Sequence, residues 1–294
     1  MKTITGLCAG MFLLVSGAGV GVVAAQDGSA DMAGPPKVLI IDREFTKPGK
    51  DGAAHEKTES AFVSAMSAAK WPTHYFAATS LSGRPRALFF FGYDSFAAWE
   101  KDNHDLQKNA ALSATLDHAN VADGELLDEI TMSVFTYDPD LSLHAGGIVH
   151  DRYFEISQYH VKPGHRAEFL ELVKLYQKGY ANIPSSNWAA FESYYGEDNG
   201  GLYLAIAKMA SLAEDDASMN DDKKFADVMG PDGMKKVREL TASSIESEQT
   251  NLFEFNPKMS YPPDEWIKAD PFWKPKAAAA APAAAKKPAA PAGQ

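Results

Sequence analysis

Two carboxylates sit two residues apart at Asp42 and Glu44, and a second polar set, Glu155, Ser157 and Tyr159, keeps the same spacing further along the chain. Successive side chains of a strand point to opposite faces, so each set shares one face. At an offset of 115 residues Asp42 matches Ser157, Glu44 matches Tyr159 and Ile40 matches Glu155. The two sets read as a pocket-lining polar stripe opposite the apolar pairs Leu39 with Phe154 and Ile41 with Ile156. Clustered carboxylates raise one another's pKa and can act as general bases. On that reading Glu155 or Glu44 takes a proton and Tyr159 or His74 orients a ring-bearing substrate, while Asp42, Ser157, Trp188 and Tyr194 contact the ligand. The same stripe also describes a solvated strand end, since charges are mostly surface features.

Other chemistries find less support. The eight histidines include no pair in a ligand spacing such as H-E-x-x-H, so no metal site is expected. Asp102-Asn103-His104-Asp105 reads as the cap of a helix start rather than a metal loop. No nucleophile elbow or glycine-rich phosphate loop is present, and Lys-Pro-Gly makes a turn rather than a nest of amides. The aromatic residues Phe89, Phe90 and Phe91, with Trp188, Phe191, Tyr194 and Tyr195, either shape an apolar small-molecule pocket or fill a core.

The elements that carry these residues occur in one order, twice. A strand from Val38 to Phe45 stops at Lys47-Pro48-Gly49, and Ala61, Phe62, Ala65, Met66 and Ala69 mark one face of the helix after it. Trp71-Pro72 ends that helix, because the residue before proline is pushed out of the helical region. Strands over 74–79 and 86–93, helices over 96–101 and 106–118 and a strand over 130–137 follow. The second pass has a strand over 153–161 and a helix carrying Phe169, Leu172, Val173 and Tyr176. A hairpin over 188–195 and 202–208 then turns through Asp198-Asn199-Gly200-Gly201. Ser211-Leu212-Ala213-Glu214 reads as a capping box, a further helix starts near Pro231, and Asn251 to Phe255 closes the unit. Phe45-Thr46-Lys47-Pro48-Gly49-Lys50 recurs as His160-Val161-Lys162-Pro163-Gly164-His165, the mark of an internal duplication. The expected fold class is α+β: two tandem βαββαβ ferredoxin-like units, residues 37–140 and 151–257.

The stretch Glu155-Ile156-Ser157-Gln158-Tyr159-His160-Val161-Lys162-Pro163-Gly164, followed by Glu168-Phe169-Leu170-Glu171-Leu172, resembles the opening of NIPSNAP-type domains within the dimeric α-β barrel superfamily. The first unit keeps the Lys-Pro-Gly but lacks the acidic, leucine-rich helix start. The resemblance implies that both units close a single-chain pseudo-dimeric barrel with a pocket between sheet and loops. It also implies a choice among cofactor-free monooxygenases on phenolic or quinone-like substrates, haem-binding proteins and noncatalytic binders, since fold alone does not fix chemistry. The residues favour the binder of an apolar small molecule or a protein partner, with no cofactor called for. Haem enters only through the resemblance.

The ends are different in kind. Lys2, the apolar run Leu7 to Val15 and Val23-Ala24-Ala25 fit a secretory signal peptide over 1–25, too short and glycine-broken to span a membrane, which takes about 20 apolar residues. The single cysteine, Cys8, lies inside it, so the exported chain, periplasmic or extracellular, has no thiol. Residues 26–36 read as a flexible lead, 258–275 as an aromatic and proline-rich extension against the domain surface, and 276–294 as a disordered Ala/Pro/Lys tail. A net charge of −11 argues against nucleic acid as a partner, because that binding runs on Lys and Arg. Exposed strand edges after a duplication would leave room for self-association.

Overall fold

A computed structural model describes residues 34–196 and 200–274. Residues 1–25, expected to be a signal peptide, most of the expected lead, the hairpin residues 197–199 and the 276–294 tail lie outside the described residues. The first half comprises β1 (Val38–Thr46), α1 (Ala53–Ala69), β2 (Tyr75–Ser80), β3 (Arg86–Tyr93), α2 (Phe96–Lys108), α3 (Ala110–Gly124) and β4 (Leu127–Leu143). The second comprises β5 (Tyr153–Val161), α4 (Arg166–Tyr180), β6 (Trp188–Tyr195), β7 (Leu202–Met209), α5 (Ala213–Ser218), α6 (Asp221–Ser244) and β8 (Ile245–Phe255). A short helix, α7 (Asp264–Ala269), and a 3-10 turn over Pro271–Trp273 end it.

The eight strands close into one antiparallel barrel in the order β1-β3-β2-β8-β5-β7-β6-β4. Each half contributes four consecutive strands, and the seams are β2 on β8 and β6 on β4. This is the architecture of the dimeric α-β barrel, formed here by one chain. Each strand has two neighbours, but the two seams are short: β4 before Val134 and β8 before Phe253 pair on one side only, so partial edges remain.

Strand composition follows from having two buried faces. Leu39 and Ile41 of β1 join Phe90, Phe135, Phe154, Ile156, Phe191 and Phe253 inside the barrel. Val38 and Ile40 point outward, into a layer with Phe96 and Trp99 of α2. On the other half Phe169, Leu172, Val173 and Tyr176 of α4 cover Tyr159, Trp188 and Tyr203. The helices α4 and α6 approach so closely that a Cβ on Gly179 would fall 2.2 Å from a ring carbon of Phe225.

The two Lys-Pro-Gly segments make the same turn. Each follows a register shift at the end of its strand, between Phe45 and Thr46 and between His160 and Val161. Lys47 N–H donates to Leu126 O at 2.9 Å and Lys162 N–H to Ser244 O at 2.8 Å, each tying the turn to the start of the unit's last strand. Gly49 and Gly164 take φ of 75° and 85°, the left-handed region in which glycine carries no Cβ penalty.

Three local readings need correction. The segment Asp102 to Asp105, read as the cap before the helix over 106–118, lies inside α2, which starts at Phe96 as expected but runs on to Lys108; Ser95 caps α2, and Asn109, accepting from Leu112 N–H, caps α3. Asp102 instead accepts from Trp71 Nε1 at 3.0 Å, Thr73 Oγ1 at 2.6 Å and Tyr93 OH at 2.9 Å, pinning α2 to the α1–β2 loop. Ser211 makes no side-chain cap on α5; Glu214 reaches back to Ala210 N–H at 3.2 Å. The 258–275 segment is more than a surface strap. Trp273 is fully buried, donates from Nε1 to Val149 O at 2.8 Å and packs on Phe255, sealing one end of the barrel.

Candidate functional site

Strand alternation decides which side chains reach the barrel interior. In β1 these are Leu39, Ile41, Arg43 and Phe45, and in β5 Phe154, Ile156 and Gln158. The interior is apolar at the end closed by the C-terminal segment and polar at the other.

At the apolar end a cavity of about 160 Å³ is walled by Leu39, Phe76, Phe90, Phe154, Phe191 and Trp266. The rings form a box: Phe76 stacks on Phe90 at 4.6 Å, Phe90 meets Phe154 edge-on at 5.5 Å, and Phe255 lies 4.7 Å from Phe154. The polar side chains at its rim are already engaged. Lys208 Nζ donates to Gly147 O and pairs with Asp151 at 3.1 Å, and Asn187 both donates to Lys208 O and accepts from Lys208 N–H. A guest would meet rings and aliphatic chains, with no uncompensated charge to match. The cavity continues into a cleft with His74, Tyr93 and Asp94 that shares Phe76, Phe90 and Trp266. His74 Nδ1 lies 3.2 Å from Tyr261 O, and its ring packs on Tyr261 at 4.6 Å.

At the polar end Arg43, Arg84 and Arg86 line an opening of about 340 Å³ with Gln158, Gln249 and Asn251. Burial, then the neighbouring Arg43 and Arg84, lowers Arg86 to about 10. Its guanidinium donates to Asn251 Oδ1 at 2.8 Å, and Arg43 donates to Ser133 Oγ at 2.9 Å.

The polar stripe has the parity expected of it, but it faces outward, under the helices, rather than into the barrel. Strands β1 and β5 also stand on opposite sides of the barrel, so its two parts never meet. In the second half Ser157 shares a 2.7 Å hydrogen bond with Thr250, Tyr159 is buried against Phe169, and burial together with Asp215 pushes Glu155 up to about 7. Trp188 is a core residue there, its Nε1 donating to Leu141 O at 2.7 Å. Tyr194 is 54% exposed and leans on Phe96. Of the candidate catalytic and ligand-contacting residues, His74 alone adjoins the cavity, while Phe90 and Phe191 of the aromatic set help wall it.

In the first half the stripe runs into a buried ionisable cluster. Glu44 Oε2 of β1 lies 2.9 Å from Nε2 of His55 on α1, and the same nitrogen is 3.5 Å from Asp123 Oδ1 on α3. Glu59, one helical turn beyond His55, completes a set whose ligating atoms all fall within 4.8 Å of one another. Burial, then the charges of Glu44, Asp123 and Asp42, pushes Glu59 up to about 10. Burial and then Glu44 raise Asp42 to about 6, and burial also raises Glu44, partly offset by its bond to His55. Sequence reading found Asp42 and Glu44 and missed His55, Glu59 and Asp123. The signal available was His55-Glu56-Lys57-Thr58-Glu59, an i, i+4 pair of ligand types on one helix face.

No protein-family model matches the chain, and no curated protein matches it. Among solved structures it is similar to a candidate monooxygenase from Fusobacterium nucleatum, with 12% identity over 74% of this chain and 91% of the other at a TM-score of 0.49. A mutant chlorite dismutase from Candidatus Nitrospira defluvii shares 11% identity over 80% and 95%, at 0.46. An anthrone oxidase-like protein shares 14% over 75% and 92%, also at 0.46. The fold assignment rests on the strand order rather than on these likenesses.

Haem iron is held by an axial His, Cys, Met or Tyr. None of these lines the apolar cavity itself, whereas His74, Tyr75 and Tyr93 line the cleft into which it continues.

Proposed function

We propose that the protein binds one apolar small molecule in the barrel cavity closed by its C-terminal segment. The observation that carries this is the ring-walled cavity whose rim polar groups are already satisfied by the protein itself. Pockets of this form, concave and apolar with few polar anchors, are the usual small-molecule sites. Neutral N-phenyl-1-naphthylamine tests it: saturable fluorescence enhancement is expected in the wild type, with at least tenfold weaker binding in Ala189→Trp, where an indole would fill the cavity. Non-saturable fluorescence, or enhancement untouched by Ala189→Trp, would overturn the reading.

The oxygenase alternative retains His74, at the cavity mouth, from its set of Glu44, Glu155, Tyr159 and His74. Oxygen uptake with a phenolic substrate that is lost in His74→Ala would favour it over simple binding. Haem titration producing a Soret band dependent on His74 would instead favour a cofactor at the cleft.

We further infer that the two halves arose by tandem duplication, supported by the matching turns at Lys47-Pro48-Gly49 and Lys162-Pro163-Gly164. The NIPSNAP-like reading rests on residues 155–172, which form β5, its turn and the first part of α4. Export rests on the pattern of residues 1–25, and N-terminal sequencing of the native protein tests it.

A further inference from the structure

We propose that Glu44, His55, Glu59 and Asp123 bind one divalent first-row transition-metal ion that clamps α1 and α3 onto β1. The four residues come from three elements, and their ligating atoms are gathered within 4.8 Å. Ligands about 2.0–2.2 Å from a common ion stand about 3–4.4 Å from one another in tetrahedral or octahedral arrangements. The cluster is therefore close to ligation spacing, and small rotations of Glu59 and Asp123 would complete it.

A second observation points to a ligand. Glu59 is only 4% exposed, its carboxyl shares a hydrogen bond with no group other than the Asp123 carboxylate beside it, and its Oε1 meets no donor. Buried polar atoms are almost always paired, because an unpaired one forfeits its hydration for nothing. A cation would satisfy that oxygen. Nearby Tyr75, within electrostatic reach of Glu59 and Glu44, also has a buried hydroxyl without a partner.

The donor chemistry narrows the ion. Three carboxylates suit hard ions such as manganese and magnesium, whereas an imidazole suits zinc, iron and their neighbours. One nitrogen among three oxygens selects first-row divalent ions, with zinc and manganese as the natural probes. His55 Nε2 already faces both Glu44 and Asp123, so an ion would take the place of its proton. Thr58 Oγ1 donates to Asp123 Oδ1 at 2.5 Å, the kind of supporting hydrogen bond that orients a ligand. The Glu44 side chain is 12% exposed and those of His55 and Asp123 4% and 3%. Such enclosure fits a structural ion rather than a catalytic one, which needs an open position.

The test uses the full chain stripped with EDTA and titrated with zinc chloride alone and, separately, manganese chloride alone. Calorimetry should give one ion per chain, and the thermal midpoint should rise by several degrees at saturating ion, because the folded state alone presents the site. Glu59→Gln and His55→Gln should each weaken binding at least tenfold while circular dichroism retains the barrel, and Glu100→Gln, an exposed acid on α2, should leave it unchanged. Absence of a stoichiometric ion, or binding equal in the wild type and both site variants, would overturn the proposal and leave a proton-sharing polar cluster.

Discussion

At the scale of single residues, the unusual investment of this chain is a set of acids placed where water cannot reach them. Glu59 has its pKa raised from 4.5 to about 10 by burial and by three neighbouring carboxylates. A carboxyl raised on folding is not penalised below its unfolded pKa, where both states are protonated. Above it, the unfolded chain ionises and the folded one does not, so stability falls as pH rises toward 10. The metal-free protein should therefore lose stability between about pH 5 and pH 10, with a slope of at most about 1.4 kcal/mol per unit from this one group. Asp42, raised to about 6, acts in the same direction over a lower window, and Glu44, also raised by burial, acts in the same direction. Urea unfolding across that range should show the decline in the wild type and a flatter profile in Glu59→Gln. A profile unchanged by the substitution would mean that Glu59 ionises freely in the fold. Asp42 and Glu44 were visible in the sequence by their spacing of two, whereas Asp123 was not, because nothing local relates a residue on α3 to one on β1.

At the scale of elements, close packing and turn geometry make separable demands on glycine. Gly179 lets α4 meet α6, and an added methyl would collide with the Phe225 ring at 2.2 Å. Gly179→Ala should destabilise by about 1–3 kcal/mol, as overpacking does. Gly49 and Gly164 face open space but hold positive φ, so Gly49→Ala and Gly164→Ala should each cost about 1–2 kcal/mol through backbone strain alone. Chemical denaturation of the three variants separates the two causes: a further Phe225→Leu change should rescue Gly179→Ala and leave the turn variants as they were. Strand limits from alternation were good, with β3, β5 and β6 read at their observed ends, because period-two patterning is local. The start of α2 at Phe96 was also read correctly, but the boundary between α2 and α3 was not. The polar run at Asp102 satisfies any rule for a cap, yet its side chain serves the tryptophan, threonine and tyrosine around it.

At the scale of the whole molecule, the barrel and its C-terminal segment form one closed object. Trp266 walls the cavity and Trp273 plugs the core beside Phe255. Ending the chain after Pro262 should lower the thermal midpoint and weaken N-phenyl-1-naphthylamine binding at least tenfold; full retention of both would show that the segment is only a surface strap. The repeated order of elements, the Lys-Pro-Gly turns and the residues sharing a strand face were all legible along the chain, because those depend on neighbours a few positions away. Which face looks into the barrel and which lies under helices was set by the packing of distant elements. Both faces are buried, so both carry apolar residues, and polarity along a strand cannot say which is which. The same closure set Asp42 and Glu44 apart from Glu155, Ser157 and Tyr159, on opposite walls, and brought His55, Glu59 and Asp123 to Glu44 instead.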